Sequence, residues 1–242
     1  MNKTAILIAD DHQIVRQGLR GLIEAEPDFC VVGEVSDGLE TLRLAERLSP
    51  DVLVLDLAMP GLHGLEVVRR IGRRWPKIRV IILSMHSNEH YILDALRNGA
   101  LGYVFKDSCT DNLVRAIRDA LAGRRYLPPP FSESAIAAYI DVTKRSAVDV
   151  YETLSNRERE VLQLVVEGRT NAEVGNRLFI SPRTVEAHRA RLMRKLSLRN
   201  EADLIRYAFK KGLLSLQEPP GEPRGAPSSG PTKKSSATHT TR

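Results

Sequence analysis

Short apolar runs alternate with longer segments of helical periodicity through the first half of the 242-residue chain. The runs are too short for helices and have the apolar content of strands that are buried on both faces. They lie at 5–9, 30–35, 52–55, 80–83 and 102–105. The segments with helical spacing lie at 14–23, 38–48, 64–75, 88–98 and 111–122. The pattern therefore predicts five strands that alternate with five helices.

Strands that are joined by helices run parallel, with right-handed crossovers. The first half is therefore predicted to be an α/β doubly wound domain with a five-stranded parallel sheet of the flavodoxin-like type. We expect the strand order 2-1-3-4-5, which makes strands one and three neighbours. Ligands bind such sheets beyond the carboxyl ends of the strands, at the point where the strand order reverses.

The pattern changes after residue 150, where four short amphipathic segments follow one another up to residue 211. Ser155 and Glu158 have the spacing of a capping box for the first helix. Thr170 or Asn171 is expected to cap the second, and Ser181 the third, which has a proline at its first position. A short helix, a tight turn and a capped third helix predict a small all-α helix-turn-helix domain.

Three consecutive prolines at 128–130 separate the two halves, because prolines break helices and favour extended chain. We expect a first domain at 1–123, a linker at 124–150 with a short helix at about 132–140, and a second domain at 151–214. From 215 to 242 the chain is rich in Pro, Gly, Ser and Thr, a composition that predicts a disordered tail.

The charge is divided unevenly between the halves. Residues 1–123 carry 15 Lys and Arg against 17 Asp and Glu, whereas residues 151–216 carry 13 against 8. Only the second half is therefore expected to meet a polyanion. The two cysteines lack metal-ligand spacing, and no apolar segment approaches the length of a membrane span or of a signal-peptide core. These features predict a cytoplasmic protein without a membrane partner.

Asp56 ends the third predicted strand and precedes a turn that contains Pro60 and Gly61. Taken alone, it is better interpreted as an aspartate that caps the turn. Asp10 and Asp11, however, follow the neighbouring first strand, so three carboxylates are expected at one edge of the sheet. They would repel one another without a cation, and hard oxygen ligands with open coordination positions suit Mg²⁺. The cluster is a candidate Mg²⁺ and phosphoryl site.

Ser84 and Lys106 end the fourth and fifth strands and are expected at the same edge. A carboxylate that attacks a phosphoryl group needs a metal and a fixed cation to neutralise the equatorial oxygens. Lys106 and Mg²⁺ would supply that charge. A solvated lysine and a turn-forming serine are ordinary features singly, but coincidence is improbable when such residues end four different strands.

This set of residues resembles the receiver domain of two-component response regulators, over residues 4–122. The resemblance implies that Asp56 takes a phosphoryl group from a sensor histidine kinase. It implies that Asp10, Asp11, Asp56 and the backbone carbonyl of Ala58 hold Mg²⁺.

Three further residues match receiver positions that respond to the phosphoryl group. By resemblance, Ser84 is the switch hydroxyl, Lys106 is the active-site lysine, and Tyr103 is the switch aromatic that swings inward when Ser84 bonds the phosphoryl group. The alternative for Tyr103 is a rim aromatic that packs on the fourth helix.

The third helix of the second half presents a basic face. At about 100° per residue, one side of this helix turns toward the core and carries Val185, His188, Leu192 and Leu196. The opposite side carries small and basic residues, with Glu186 and Arg191 flanking them: Arg183, Ala187, Ala190 and Arg194. Alanines between arginines let a helix approach a surface closely, which suits the major groove of DNA. The alternative is a solvated basic face.

Three motifs make residues 152–213 similar to the LuxR-type helix-turn-helix of NarL/FixJ-type regulators: LSNREREVL from Leu154, NAEV from Asn171 and SPRTVEAHR from Ser181. The resemblance implies that double-stranded DNA is contacted at base edges by Glu186, Ala187 and Ala190. It implies phosphate contacts by Thr184, Arg189, Arg194 and Lys195. Some family members have lysines at 186 and 190, so no operator sequence can be transferred.

The fourth helix of this half resembles the dimerisation helix of the family, which implies a homodimer when the protein is phosphorylated or bound to DNA. Simple core packing is the alternative.

The sequence thus predicts a transcription regulator rather than an enzyme. One rival is a phosphatase with an aspartyl nucleophile, but such enzymes need a second Asp two residues after the nucleophile on strand one, where this chain has His12. A second rival is a regulator whose receiver no longer takes phosphate, against which the intact set of five site residues argues.

Overall fold

The computed structural model describes residues 3–85, 89–129, 131 and 150–214. Its first half has the predicted alternation of five strands and five helices. The strands are β1 (Thr4–Ala9), β2 (Phe29–Val35), β3 (Val52–Asp56), β4 (Arg79–Ser84) and β5 (Gly102–Phe105). The helices are α1 (Gln13–Glu24), α2 (Gly38–Leu48), α3 (Gly64–Arg74), α4 (Glu89–Arg97) and α5 (Cys109–Leu121).

All neighbouring strands pair in parallel, in the order β2-β1-β3-β4-β5, which confirms the predicted fold class. The central strand β3 is buried along its whole length, as its apolar run predicts. Helices α1 and α5 pack on one face of the sheet, and α2, α3 and α4 pack on the other. Because the strands are parallel, the carboxyl ends of β1, β3, β4 and β5 lie at the same edge of the sheet, and the candidate site lies at this edge.

One apolar residue of α1 lies outside the buried face of the helix. Leu19 and Ile23 are buried as expected, but the side chain of Ile14 is 83% exposed. At about 100° per residue, position 14 lies roughly on the opposite side of the helix from Ile23, so its exposure agrees with the helical periodicity.

The second half is a four-helix unit that packs around Val161, Leu164, Val185 and Leu192, all fully buried. Its helices are α6 (Asn156–Val166), α7 (Asn171–Leu178), α8 (Pro182–Lys195) and α9 (Glu201–Lys210). The capping box predicted at Ser155 forms, and of the two alternatives for α7 the structure selects Thr170. Helices α6 and α7 both pack on α8, the geometry expected of a helix-turn-helix.

The chain stays with the sheet for a few residues beyond the predicted boundary at 123. Tyr126 is buried, its N–H donates to the Leu101 carbonyl, and its own carbonyl accepts from Tyr103 N at 3.0 Å. It therefore extends the edge at β5. The predicted short helix at 132–140 and the predicted tail at 215–242 lie outside the described residues.

The two halves meet through a buried ion pair. Glu66 of α3 and Arg159 of α6 are 2% and 1% exposed, and their side chains are 2.7 Å apart. Glu66 also accepts from Arg69 and Arg70 on its own helix. Burial alone would raise the pKa of Glu66, but hydrogen bonds from these arginines outweigh it and the pKa is lowered. The carboxylate therefore stays ionised and holds the halves together.

A second contact joins α4 to the turn after α9. Gly212 has a φ of +64°, and a Cβ at this position would lie 1.7 Å from the hydroxyl oxygen of Tyr91. Only a glycine combines this backbone conformation with such a close approach. The sequence alone predicts only that Gly212 ends the last helix.

Candidate functional site

The strand ends bring two carboxylates and an ammonium group into direct contact. Asp10 follows β1, Asp56 ends β3, and Lys106 begins the short 3-10 helix after β5. The Nζ atom of Lys106 lies 2.8 Å from an oxygen of Asp56 and 2.8 Å from an oxygen of Asp10. Both aspartates are almost wholly buried. The charges are thus desolvated and held at hydrogen-bond distance, which strengthens their interaction.

Asp11 and His12 complete an acidic cluster at the rim. One ligand atom from each of Asp10, Asp11, His12 and Asp56 lies within 4.8 Å of the others. The imidazole Nδ1 of His12 is 2.7 Å from Asp11 and 3.4 Å from Asp10. Three carboxylates that converge from two strands form the hard oxygen set that Mg²⁺ prefers, so the residues present fit this ion.

The surroundings of Asp56 and Lys106 shift both groups. Burial raises the pKa of the Asp56 carboxyl, and Lys106 offsets this only in part. Burial lowers the pKa of the Lys106 ammonium, but the attraction of Asp56 and the hydrogen bond to Asp10 outweigh it, so the net change is upward. Lys106 therefore remains a cation, which is the state required to neutralise a phosphoryl oxygen.

The turn after β3 is fixed by a close backbone approach. A Cβ on Gly64, the first residue of α3, would lie 2.5 Å from the Asp56 carbonyl oxygen, so glycine lets the helix begin directly beneath the turn. The N–H of Ala58 donates to Asp56 Oδ1 at 3.3 Å. Ala58 and Asp11 line a cavity of about 320 Å³ that reaches the second half at Glu167. The turn is thus positioned beside space where a ligand could enter.

Ser84 and Tyr103 belong to β4 and β5, the two strands that follow β3 in the sheet. Ser84 ends β4 and is 1% exposed, while Tyr103 in β5 is fully buried. Burial raises the pKa of the Tyr103 hydroxyl, and a hydrogen bond with Ser84 partly offsets the rise. The ring meets Phe105 edge-on at 5.8 Å. Tyr103 therefore points inward toward Ser84, and the alternative of a ring at the rim does not describe this structure.

The second candidate site is the exposed face of α8. Ser181 caps the helix by accepting from Thr184 N at 3.1 Å, and Val185 and Leu192 anchor its inner side in the core. The residues predicted to face outward are all exposed: Arg183, Glu186, Ala187, Ala190, Arg191 and Arg194. This surface remains uncovered even though the two halves are packed together.

Two residues with implied phosphate contacts are engaged within the helical unit instead. Arg189 donates to the Asn171 side chain at 3.0 Å. Lys195 donates to Glu158 at 2.7 Å and to the Thr153 carbonyl at 3.1 Å. In this arrangement both residues position α8 against α6 and α7. Their roles toward DNA stay predictions.

Comparisons with known proteins agree with this two-part organisation. Residues 6–118 match the family model for the response regulator receiver domain, and residues 152–208 match the model for bacterial regulatory proteins of the luxR family. The oxygen regulatory protein NreC of Staphylococcus carnosus is 38% identical over 213 residues, which cover 86% of this chain and 98% of NreC. The chain belongs to the response regulators of the NarL/FixJ type.

Solved structures similar to the regulator include complexes with DNA. The structure of the two-component response regulator RcsB with DNA is 31% identical, covers 86% of this chain and 98% of RcsB, and has a TM-score of 0.53. RcsB from Salmonella enterica serovar Typhimurium, bound to promoter P1flhDC with the phosphomimetic BeF3⁻, is 30% identical, covers 85% and 98%, and has the same TM-score. The family consists of DNA-binding transcription regulators, not enzymes, as the sequence predicts.

The regulator also has functional contacts that the sequence did not reveal. Arg16 of α1 donates to the Asp10 carbonyl at 2.6 Å and lies 3.6 Å from Glu34, so it braces the loop that carries the acidic pair. Glu66 and Arg159 join the halves. Because charged residues on helices are usually solvated, no signal in the pattern distinguishes these from surface residues.

The regulator has no described helix with the length and apolar character of a membrane span, within residues 3–85, 89–129 and 150–214.

Proposed function

We propose that Asp56 accepts a phosphoryl group from a sensor histidine kinase. A carboxylate oxygen of Asp56 would form the new bond to phosphorus while the bond to the kinase histidine breaks, giving an acyl phosphate. Lys106, already 2.8 Å from Asp56, would neutralise an equatorial oxygen of the group in transfer. The shared contact of Lys106 with Asp56 and Asp10 is the observation that carries this proposal.

We further propose that Asp10, Asp11, Asp56 and the carbonyl of Ala58 hold Mg²⁺. The convergence of the carboxylates within 4.8 Å supports this set. When bound, the ion would supply the second positive charge that phosphoryl transfer needs. The buried Tyr103 and Ser84 would then report the modification, because the Ser84 hydroxyl can turn from the tyrosine toward the phosphoryl oxygens.

The output proposed for the exposed face of α8 is sequence recognition in the major groove of double-stranded DNA. Glu186, Ala187 and Ala190 would meet base edges, while Thr184, Arg191 and Arg194 would lie beside phosphates. The DNA complexes of RcsB, a similar protein, support this partner. On release from Asn171 and Glu158, Arg189 and Lys195 would add two further phosphate contacts.

The last helix provides a surface for a homodimer. Ile205 and Phe209 of α9 are 42% and 41% exposed, while Leu204 and Ala208 of the same helix are buried in the core. The helix therefore packs inward and still presents apolar area outward. We propose functional units at 1–123 and 151–214, in a protein that acts in the cytoplasm.

The test of phosphorylation is a mass measurement. Incubation of the full chain with acetyl phosphate and Mg²⁺ should add one acid-labile phosphoryl group, and Asp56→Asn should abolish the addition. Asp51→Asn, which alters an exposed carboxylate at the opposite end of β3, is the matched control and should leave it unchanged. Absence of any mass shift in the unaltered chain would favour a regulator that works without phosphate.

A further inference from the structure

A cleft of about 450 Å³ lies between helices α2 and α3 of the receiver and the α6–α7 region of the helical unit. Seven arginines and two glutamates line it. Glu66 and Asp37 pair with lining arginines from outside the cleft. Seven guanidinium groups against these four carboxylates leave three positive charges uncompensated. The cleft thus has the size of a small-ligand site and a strong preference for anions.

Some of these arginines build the walls. Glu160 of α6 accepts from Arg70 of the receiver at 2.6 Å and from Arg157 of its own helix at 2.7 Å. Arg157 also donates to the Leu178 carbonyl at 2.6 Å. These groups are committed to holding the two sides of the cleft in place, so they are not the ones that a ligand would recruit.

Two arginines at the cleft have no such commitment. Arg43 of α2 and Arg73 of α3 are exposed, and within residues 3–85, 89–129 and 150–214 neither forms an ion pair. The guanidinium of Arg43 lies over the ring of Phe179, 5.9 Å from its centroid. Both side chains are therefore free to turn toward an anion, and guanidinium groups bind phosphate with paired hydrogen bonds.

Aromatic rings accompany the arginines. Phe179 is 82% exposed and has a φ of +56°, a conformation that is uncommon for a bulky residue. The turn between α7 and α8 thus holds an apolar ring in water at the edge of a cationic cleft. Trp75, with Arg74 stacked 4.8 Å above its ring, lines another part of the same cleft. Flat rings beside guanidinium groups form the kind of surface on which nucleic-acid bases stack.

We propose that this cleft binds a nucleotide that carries two or more phosphates. Arg43 turns from the ring of Phe179 and binds the phosphates together with Arg73, and the base stacks on the exposed ring of Phe179. Because the walls come from both halves, the bound nucleotide stabilises the arrangement in which Glu66 meets Arg159. The proposal does not depend on phosphorylation of Asp56.

Trp75 gives a direct readout, since it is the only tryptophan of the chain and lines the cleft. The full chain is titrated with ATP, pyrophosphate or adenosine without added Mg²⁺, with excitation at the red edge of the tryptophan band, where adenine does not absorb. We expect a saturable fluorescence change with ATP, a weaker affinity for pyrophosphate and no response to adenosine. No saturable change with ATP overturns the proposal.

Variants distinguish the binding of the phosphates from the stacking of the base. Arg43→Gln and Arg73→Gln should each weaken ATP binding about tenfold, as expected for the loss of one charged hydrogen-bond donor. Phe179→Leu should weaken ATP binding and leave pyrophosphate binding unchanged. Arg115→Gln removes an arginine of α5 that is 76% exposed, and it serves as the control that keeps full affinity. Equal losses in Arg115→Gln and Arg43→Gln, or equal affinity for ATP and pyrophosphate in the unaltered chain, would overturn the nucleotide assignment.

Discussion

Asp56 and Lys106 are separated by 50 positions in the chain and their side chains meet at 2.8 Å, whereas the surface proposed to face DNA lies within the single helix α8. The first site exists only because parallel strands end at one edge of a sheet. The second follows from helix geometry and from two buried anchors, Val185 and Leu192. Residues of the first site should therefore act as one unit, and residues of the second nearly independently.

Loss of the ion pair between Glu66 and Arg159, which connects the two halves, is expected to have the largest effect on stability. Glu66→Ala leaves Arg159 buried without its carboxylate, and such a change costs about 3–5 kcal/mol. Urea unfolding followed by Trp75 fluorescence measures the loss. Glu46→Ala removes an exposed partner of Arg74 and should cost no more than about 1 kcal/mol. Similar losses in the two variants would show that the halves do not depend on this contact.

Cooperation within the phosphorylation site is tested through Lys106. Lys106→Gln removes the fixed cation and should slow phosphorylation by acetyl phosphate about a hundredfold, the typical effect of losing one preorganised charge-stabilising donor. Combining it with Asp10→Asn should add little further loss, because Lys106 and Asp10 contact each other at 2.8 Å and act as one unit. Intact-mass time courses provide the rates, and the exposed Lys77→Gln is the control. Fully multiplicative losses would contradict a single cooperative site.

Ionisation of Asp56 provides a test by pH. A carboxyl whose pKa is raised on folding contributes full stability below its unfolded value, 3.8, and loses that contribution as pH rises through the folded pKa. Asp56→Asn has no buried charge at this position. Its melting temperature, relative to that of the unaltered chain, should therefore rise as the pH increases above this value, by on the order of a few degrees. Thermal melts in Mg²⁺-free buffers across this range measure the difference. A constant difference at all pH values would mean that folding does not perturb Asp56.

The recognition face should show the smallest and most additive effects. Arg191→Ala and Arg194→Ala should each weaken binding to a mixed-sequence duplex and reduce the salt slope by about one. The double variant should lose the sum of the two effects, because both side chains are exposed on one rigid helix. Arg206→Ala, which is 71% exposed on α9, is the control. Unchanged binding in both single variants would show that α8 does not bind in the major groove.

Most of the architecture could be predicted because its signals are local. The run at 52–55 marks a strand that is buried throughout, and Ser155, Thr170 and Ser181 begin helices where their side chains satisfy free N–H groups. Strand order then followed from general rules of connection.

The sequence by itself determined the ten secondary-structure elements of the receiver, the helix-turn-helix and the identity of the residues at four strand ends, since each depends on neighbours within a few turns of chain. Only the tertiary structure decided the direct contacts of Lys106 with both aspartates, the inward ring of Tyr103 and the buried pairing of Glu66 with Arg159. The physical reason is that a charged residue on a helix is usually exposed to solvent, so the local sequence pattern predicts it to be solvated. Only the packing of a second domain against the helix shows that water is excluded from it.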